Sequence, residues 1–249
     1  MIRDRYRPAE FDAERYSTDN LSFWAPTMIR LGRMGRDDSV LDLGCATGGF
    51  TDAIAQASGA RLVGCDRSPA MLDYARVHRT GSSIRWVCAD ATRLPFAHRA
   101  FSRVIASLVV HQIPDRQSAL REVERILEPT GLLLVRTVTP EAARRWIPNR
   151  FFPSVARAQE ARMPPIEDLV ELLGGVGFDG VATETVVRHK PLVLVDVERS
   201  FRRELADRYP FVGTSERDEG FARMRERWSD QRGVCIDARE FTFVIASKG

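Results

Sequence analysis

The run Val40-Leu41-Asp42-Leu43-Gly44-Cys45-Ala46-Thr47-Gly48-Gly49-Phe50 constrains the fold of this chain more than any other stretch. A short apolar run closed by glycines reads as a buried strand, and the helix-like Thr51–Ala57 follows at once. The glycines therefore sit at a strand-to-helix corner. Open α/β sheets bind ligands at such corners, where small residues let a ligand approach the backbone and a helix N-terminus offers amide donors. The turn is expected to cradle a nucleotide-like ligand.

Downstream, apolar strand-like runs alternate with helix-like ones. Strands are expected at Val40–Leu43, Arg61–Asp66, Ile84–Cys88, Phe101–Ser107 and Gly131–Thr137, with helices at Thr51–Ala57, Pro69–His78 and Arg116–Leu127. Ser68-Pro69 marks a helix start, and Pro129-Thr130-Gly131 separates the last of these helices from the fifth strand. This alternation predicts an α/β fold, a doubly wound, Rossmann-like, mostly parallel sheet with helices on both faces. After residue 138 the rhythm changes. Ile166–Leu173 reads as a helix stopping at Gly174-Gly175, and Val181–Val187 and Phe241–Ala246 as a C-terminal antiparallel strand pair. Between them Arg188–Arg239 has the charge pattern of two helices.

We therefore expect a single domain over residues 1–249. It would comprise an N-terminal helical cap (1–33), a ligand-binding core (35–138) and two insertions (139–165 and 188–239) that form a helical lid carrying acceptor specificity. The aromatics Trp24, Trp146, Phe151, Phe152 and Trp228 would line an acceptor pocket or form the core of the lid.

Charge argues against a polyanion partner. The net charge is only +3, and acids are interleaved with the arginines nearly everywhere, whereas a nucleic-acid binder concentrates its cations on one face. Met1–Pro8 has basic residues with no apolar stretch behind it, and no run is long enough to cross a bilayer. A cytoplasmic location and no membrane partner are expected. Cys45, Cys65, Cys88 and Cys235 include no Cys-x-x-Cys pair and read as reduced, buried thiols. The four histidines are scattered, so no metal site is expected. The chain would be a monomer or homodimer.

The strongest chemical signal is a series of acids, Asp42, Asp66 and Asp90, at corresponding places after the first three strands. Asp66 stands about where a ribose-binding acid belongs in a mononucleotide-binding half, and Asp90 could accept from an exocyclic amine on a base. Each acid alone reads equally as a helix cap or turn former. A glycine turn with Asp66 also fits a dinucleotide site. Against it, the turn lacks a clean Gly-x-Gly-x-x-Gly.

In combination these stretches resemble a known family. Val40–Gly48, Val63–Leu72 and Cys88–Phe96 are similar to the first three motifs of class I S-adenosylmethionine-dependent methyltransferases of the small-molecule type, the broad group that includes ubiquinone/menaquinone-biosynthesis methyltransferases. Phe101–Asp115 and Leu120–Val135 resemble the strand, helix and strand that follow. The resemblance implies S-adenosylmethionine as cofactor and methyl transfer to a small-molecule acceptor at O, N or C, with S-adenosylhomocysteine as product.

It also implies residue roles. Gly44, Ala46 and Gly48 would line the methionyl portion, with Asp42 ordering the turn. Asp66 would bind the ribose hydroxyls, Arg67 and Met71 would flank the adenine, and Asp90 and Ala91 would meet its edge. Ser107 would lie near the sulfonium and Tyr16 over the cofactor. His111, just beyond the fourth strand, is the candidate general base, since an unperturbed imidazole titrates near neutrality. Ala46 replaces the middle glycine of the family's first motif, a change tolerable if its φ is negative. The alternatives are an NAD-dependent oxidoreductase and a protein that retains the cofactor while catalysing a non-methylating rearrangement or cyclisation.

Overall fold

The computed structural model describes residues 7–80, 83–229 and 233–249. Residues 1–6, on which the expected absence of a leader rests, residues 81–82, and residues 230–232 within the second insertion lie outside the described residues. The chain divides into two compact units, residues 1–137 with 167–184 and 243–249, and residues 138–166 with 185–242.

The first unit opens with helices α1 (Pro8–Arg15) and α2 (Thr18–Gly32). Proline at the start of α1 has its φ already helical and wastes no amide. Ser17 caps α2 by accepting from the Asn20 amide at 3.3 Å. Then β1 (Ser39–Leu43), α3 (Gly49–Ser58), β2 (Arg61–Asp66), α4 (Pro69–His78), β3 (Arg85–Cys88), β4 (Phe101–Ser107), α5 (Arg116–Ile126) and β5 (Leu127–Thr137) alternate as expected. α5 buries Ala119, Leu120, Val123 and Ile126, one stripe of a helix whose start Asp115 caps by accepting from the Ser118 amide at 2.9 Å.

The sheet order is β3-β2-β1-β4-β5, followed by β7 (Val234–Lys248) and β6 (Phe178–Val193). The four pairings among β1 to β5 are all parallel, and the sheet has one antiparallel pair. Helices on both faces leave central strands no solvent side, which is why Val40–Leu43 and Gly131–Thr137 are buried continuously instead of alternately. Between β2 and β4, β1 occupies the point where strand order reverses. Its carboxyl end therefore opens into the crevice where such sheets take ligands.

Three strands run appreciably longer than the sequence expectation. β5 begins at Leu127 instead of Gly131, because extended backbone takes over directly from α5 at Pro129, with a register irregularity opposite Phe101 and Arg103. β6 and β7 run well beyond Val181–Val187 and Phe241–Ala246, since they are sheet neighbours along a long ribbon whose exposed residues carry little apolar signal. The thiols also need a correction. Cys45, Cys65 and Cys235 are buried, but Cys88, at the end of the edge strand β3, is exposed. Burial, aided by the Asp66 charge, pushes the Cys65 thiol up to about 12, so that thiol is inert near neutrality.

In the second unit, α6 (Pro140–Arg145), α7 (Pro153–Glu160), α9 (Leu194–Arg208) and α10 (Thr214–Arg227) have a core of their own; α8 (Ile166–Gly175) leads back to the first unit. Ile147, Phe152, Val155, Phe201, Leu205, Phe221, Met224 and Trp228 cluster there. Phe152 is its centre, with ring centroids 4.8 Å from Phe201 and 5.0 Å from Phe221. Gly220 leaves the space that the Phe152 ring fills. Phe152 and Trp228 are thus core of this unit. Among the described residues no helix is long and apolar enough to cross a membrane, and no group of three or more His, Cys, Asp or Glu could hold a metal.

Truncating Phe152 to alanine would leave a ring-sized void that close-packed neighbours cannot fill. A loss of about 3–5 kcal/mol is expected in urea denaturation followed by circular dichroism. A change under 1 kcal/mol would show that the second unit has no cooperative core.

Candidate functional site

The turn between β1 and α3 is held to β2 by main-chain and carboxylate bonds. The Gly44 and Cys45 amides both donate to the Cys65 carbonyl, at 2.7 and 3.0 Å, and the Gly48 amide closes onto the Cys45 carbonyl at 2.9 Å. Asp66 completes the arrangement. Its Oδ2 accepts from the Ala46 amide at 2.9 Å and its Oδ1 from the Ser68 amide at 3.0 Å, and the residue is only 2% exposed. One carboxylate thus fixes both the glycine turn and the entry to α4. Asp42, also buried, accepts from Thr51 Oγ1 at 2.6 Å and ties the end of β1 to the first turn of α3.

Three residues of the turn adopt positive φ: Gly44 at 76°, Ala46 at 50° and Gly48 at 74°. Ala46 therefore does not meet the condition, a negative φ, under which it is an easy replacement for glycine. Its amide must face Asp66 between two left-handed glycines, and that geometry forces the left-handed region on alanine too. The cost is about 1–2 kcal/mol relative to an unstrained residue. The glycines are required for a different reason as well. A Cβ on Gly44 would collide with Val109, one on Gly48 with the Trp86 indole, and one on Gly49 with the Tyr16 ring. Side chains of this chain, drawn from three different segments, already lie against the turn.

Tyr16 caps the C-terminus of α1. Its hydroxyl donates to the Cys45 carbonyl at 3.4 Å, and its ring packs edge-on to Phe50 with centroids 5.1 Å apart. On the other side of the crevice, Ala89 donates its amide to the Asp66 carbonyl at 3.2 Å, which brings the end of β3 to the end of β2. Asp90 follows in an exposed turn, where its Oδ1 accepts from both the amide (2.9 Å) and the hydroxyl (2.8 Å) of Thr92. Those donors, the backbone one foremost, hold its carboxyl below the usual carboxylate range, so it stays ionised and available as an acceptor. Ala91 is half-buried beside it. Arg67 is exposed, whereas Met71, on the buried side of α4, is 1% exposed.

Ser107 ends β4 in register with Arg136. The next residue, Leu108, takes φ 54°, an unusual conformation for a branched side chain and one that clusters at functional sites. Its amide donates to the Arg136 carbonyl at 2.8 Å, and its carbonyl accepts from Gln112 Nε2 at 2.7 Å. This sharp turn delivers Val109 onto Gly44 and starts the 3-10 turn Val110–Gln112 that holds His111. The structure therefore gathers Tyr16, Asp42, Gly44, Ala46, Gly48 and Asp66 around one turn. Asp90 and Ala91 lie after β3, with Ser107 at the end of β4 and His111 beyond it.

Sequence reasoning missed several residues here. Arg136 is 3% exposed at the end of β5, with its guanidinium 3.8 Å from the Trp24 ring centre and 5.7 Å from that of Phe50. A charge ending the run Leu132-Leu133-Leu134-Val135 was the available signal. Asp12, Thr47 and Arg79 form a second missed group. Asp12 Oδ1 accepts from Thr47 Oγ1 at 2.7 Å and from Arg79 Nη2, and Arg79 Nε donates to the Thr47 carbonyl at 3.1 Å. Nothing in local sequence pattern joins three residues so far apart. Trp86, which covers Gly48 and Gly64, is the third.

The donor set suits an adenosyl group with a charged amino-acid tail. An Asp carboxylate has about four acceptor sites, of which the Ala46 and Ser68 amides use one on each oxygen. The first-turn amides of α3 have no partner within the helix and favour an anion.

Comparison with known proteins agrees with this geometry. Residues 41–135 match the methyltransferase domain family. The chain is similar to malonyl-[acyl-carrier protein] O-methyltransferase of Hahella chejuensis, 30% identical over 113 residues, which are 45% of this chain and 40% of that one. It is also similar to demethylmenaquinone methyltransferase of Thermus thermophilus, 34% identical over 138 residues, 51% of this chain and 63% of that one. The chain thus spans less than two thirds of the length of these curated relatives. In fold it is similar to phosphoethanolamine N-methyltransferase 2 of Haemonchus contortus, solved with S-adenosyl-L-methionine. The TM-score is 0.56 at 18% identity, over 98% of this chain and 60% of that one.

Ala46→Gly should relieve the left-handed alanine and raise stability by about 1 kcal/mol after the extra chain entropy of glycine. Urea denaturation measures it, and an unchanged or lowered midpoint would mean the turn carries no strain at that position. With its left-handed turn, its buried strand-end acids and its sheet order, the stretch 41–135 matches a methyltransferase domain, and the fold is similar to that of solved methyltransferases.

Proposed function

We propose that this chain is a cytoplasmic enzyme that transfers the methyl group of S-adenosylmethionine to a small organic acceptor at O, N or C, releasing S-adenosylhomocysteine. One observation carries the reading: a buried Asp66 that bridges the left-handed turn and the start of α4, within a stretch that matches a methyltransferase domain. The match favours neither NAD-dependent hydride transfer nor a non-methylating rearrangement.

The sulfonium supplies an already activated methyl group, so the protein's task is to hold the two reactants in line and keep water out. Asp66 would accept from the ribose hydroxyls. Asp90 and Ala91 would meet the adenine edge, Arg67 would cover one face of it, and Met71 would form an apolar wall. Gly44, Ala46 and Gly48 would border the methionyl portion, with Asp42 fixing the turn through Thr51 and Tyr16 closing over it. Ser107 and the Leu108 turn would bound the position of the sulfonium. His111 would take a proton from an acceptor whose nucleophilic atom carries one.

Calorimetry with S-adenosylhomocysteine and with NAD tests the cofactor, and a labelled-methyl assay over candidate acceptors tests the transfer. Binding of S-adenosylhomocysteine in preference to NAD is expected, and Asp66→Ala should weaken it by about 1–3 kcal/mol through lost charge-assisted hydrogen bonds. Preferential NAD binding, or unchanged affinity in a folded variant, would reject the assignment. Tight binding without label transfer to any acceptor would favour a non-methylating role.

A further inference from the structure

Helix α1 is anchored unlike any other helix of the first unit. It is eight residues long and has no buried residue. A helix this short is not stable alone in water, so its position depends on whatever it touches. What it touches is the glycine turn. Asp12 reaches Thr47 and Arg79, Arg79 in turn holds the Thr47 carbonyl, and Tyr16 at the helix end holds the Cys45 carbonyl and lies against Gly49 and Phe50. The Arg79 guanidinium also stands 6.0 Å from the Tyr16 ring centre.

We propose that Asp12 and Arg79 are positioning residues that latch residues 8–16 over the turn and set the rate at which an S-adenosyl ligand enters and leaves. This rests on the methyl-transfer reading. The side chains of Arg79 and Asp12 are 16% and 17% exposed. Solvent therefore screens this pair less than it screens the unit's exposed ion pairs, such as Arg76 with Asp73, at 47% and 70%. The pair joins α1 to the end of α4, with Thr47 of the turn between them. A ligand seated against residues 44–48 is bordered by the strap, and neither entry nor exit is possible at full speed while the latch is made. Breaking the latch frees a segment with no core of its own, which can swing at Tyr16-Ser17, the junction between α1 and α2.

The latch can be tested by stopped-flow binding and displacement of S-adenosylhomocysteine. In Asp12→Asn both the association and the dissociation rate should rise, dissociation by about tenfold, the equivalent of one charge-assisted hydrogen bond. The exchanged pair Asp12→Arg with Arg79→Asp should return both rates toward wild type. Thr47→Val, which removes one latch bond and leaves the ion pair, should give an intermediate effect in an independently folded variant. Amide hydrogen exchange over residues 8–16 should quicken in Asp12→Asn without ligand. Unchanged rates would overturn the proposal, and so would a rise in dissociation alone, which marks a lost contact and not a lowered barrier. Wild-type protein that fails to bind S-adenosylhomocysteine would overturn the methyl-transfer reading and the latch with it.

Discussion

The hydrogen bond from the Ala46 amide to the Asp66 carboxylate is the contact on which the site depends. It joins two turns that follow adjacent parallel strands. Parallel pairing places the ends of β1 and β2 side by side, and the Gly44 and Cys45 amides on the Cys65 carbonyl extend that pairing one step into the loop. The carboxylate then takes the next donor along. A buried acid in this position is tolerable because each of its oxygens accepts a backbone amide, and the left-handed glycines flanking Ala46 help aim its amide at the carboxylate. Strain in the turn and burial of the acid are two parts of one arrangement.

The rest of the crevice follows from how neighbouring segments use the space that glycine leaves. Val109, Trp86 and Tyr16 each occupy a volume that a Cβ would need. They come from the loop after β4, from the edge strand β3 and from the end of α1. The small residues of the turn therefore serve close packing by the protein itself as well as close approach by a ligand. Leu108 shows the same trade. An unfavourable backbone conformation is held by the Arg136 carbonyl and by Gln112, and it turns the chain so that Val109 meets Gly44 and His111 follows in the next turn.

The second unit is built on a different principle. Its helices are rich in arginine, and several of those cations pair with acids, as with Arg202 and Arg225 on Glu198 or Arg145 on Glu240. Its cohesion comes from the Phe152–Phe201–Phe221 cluster and the residues around it. The segments expected to form a lid are thus a unit with its own apolar core, which explains why their aromatics read ambiguously in sequence. Phe152 is wholly buried, while Phe151 and Trp228 pack edge-to-face at its margin.

Sequence alone determined the elements of the first unit and the placing of its acids, because strand and helix periodicity, glycine corners and proline starts are local signals that each residue carries with its neighbours. β2, β4 and α4 occupy the residues that pattern assigned. Tertiary structure decided what each side chain does there. Ala46 was legible as a departure from the motif, but its left-handed φ follows from the position of Asp66, twenty residues away in the chain. Asp12, Thr47 and Arg79 carry no shared pattern, and only the packing of α1, the turn and the end of α4 brings them together. Local patterns specify backbone state, whereas a hydrogen bond or ion pair between distant residues exists only once the sheet has fixed where its strand ends lie.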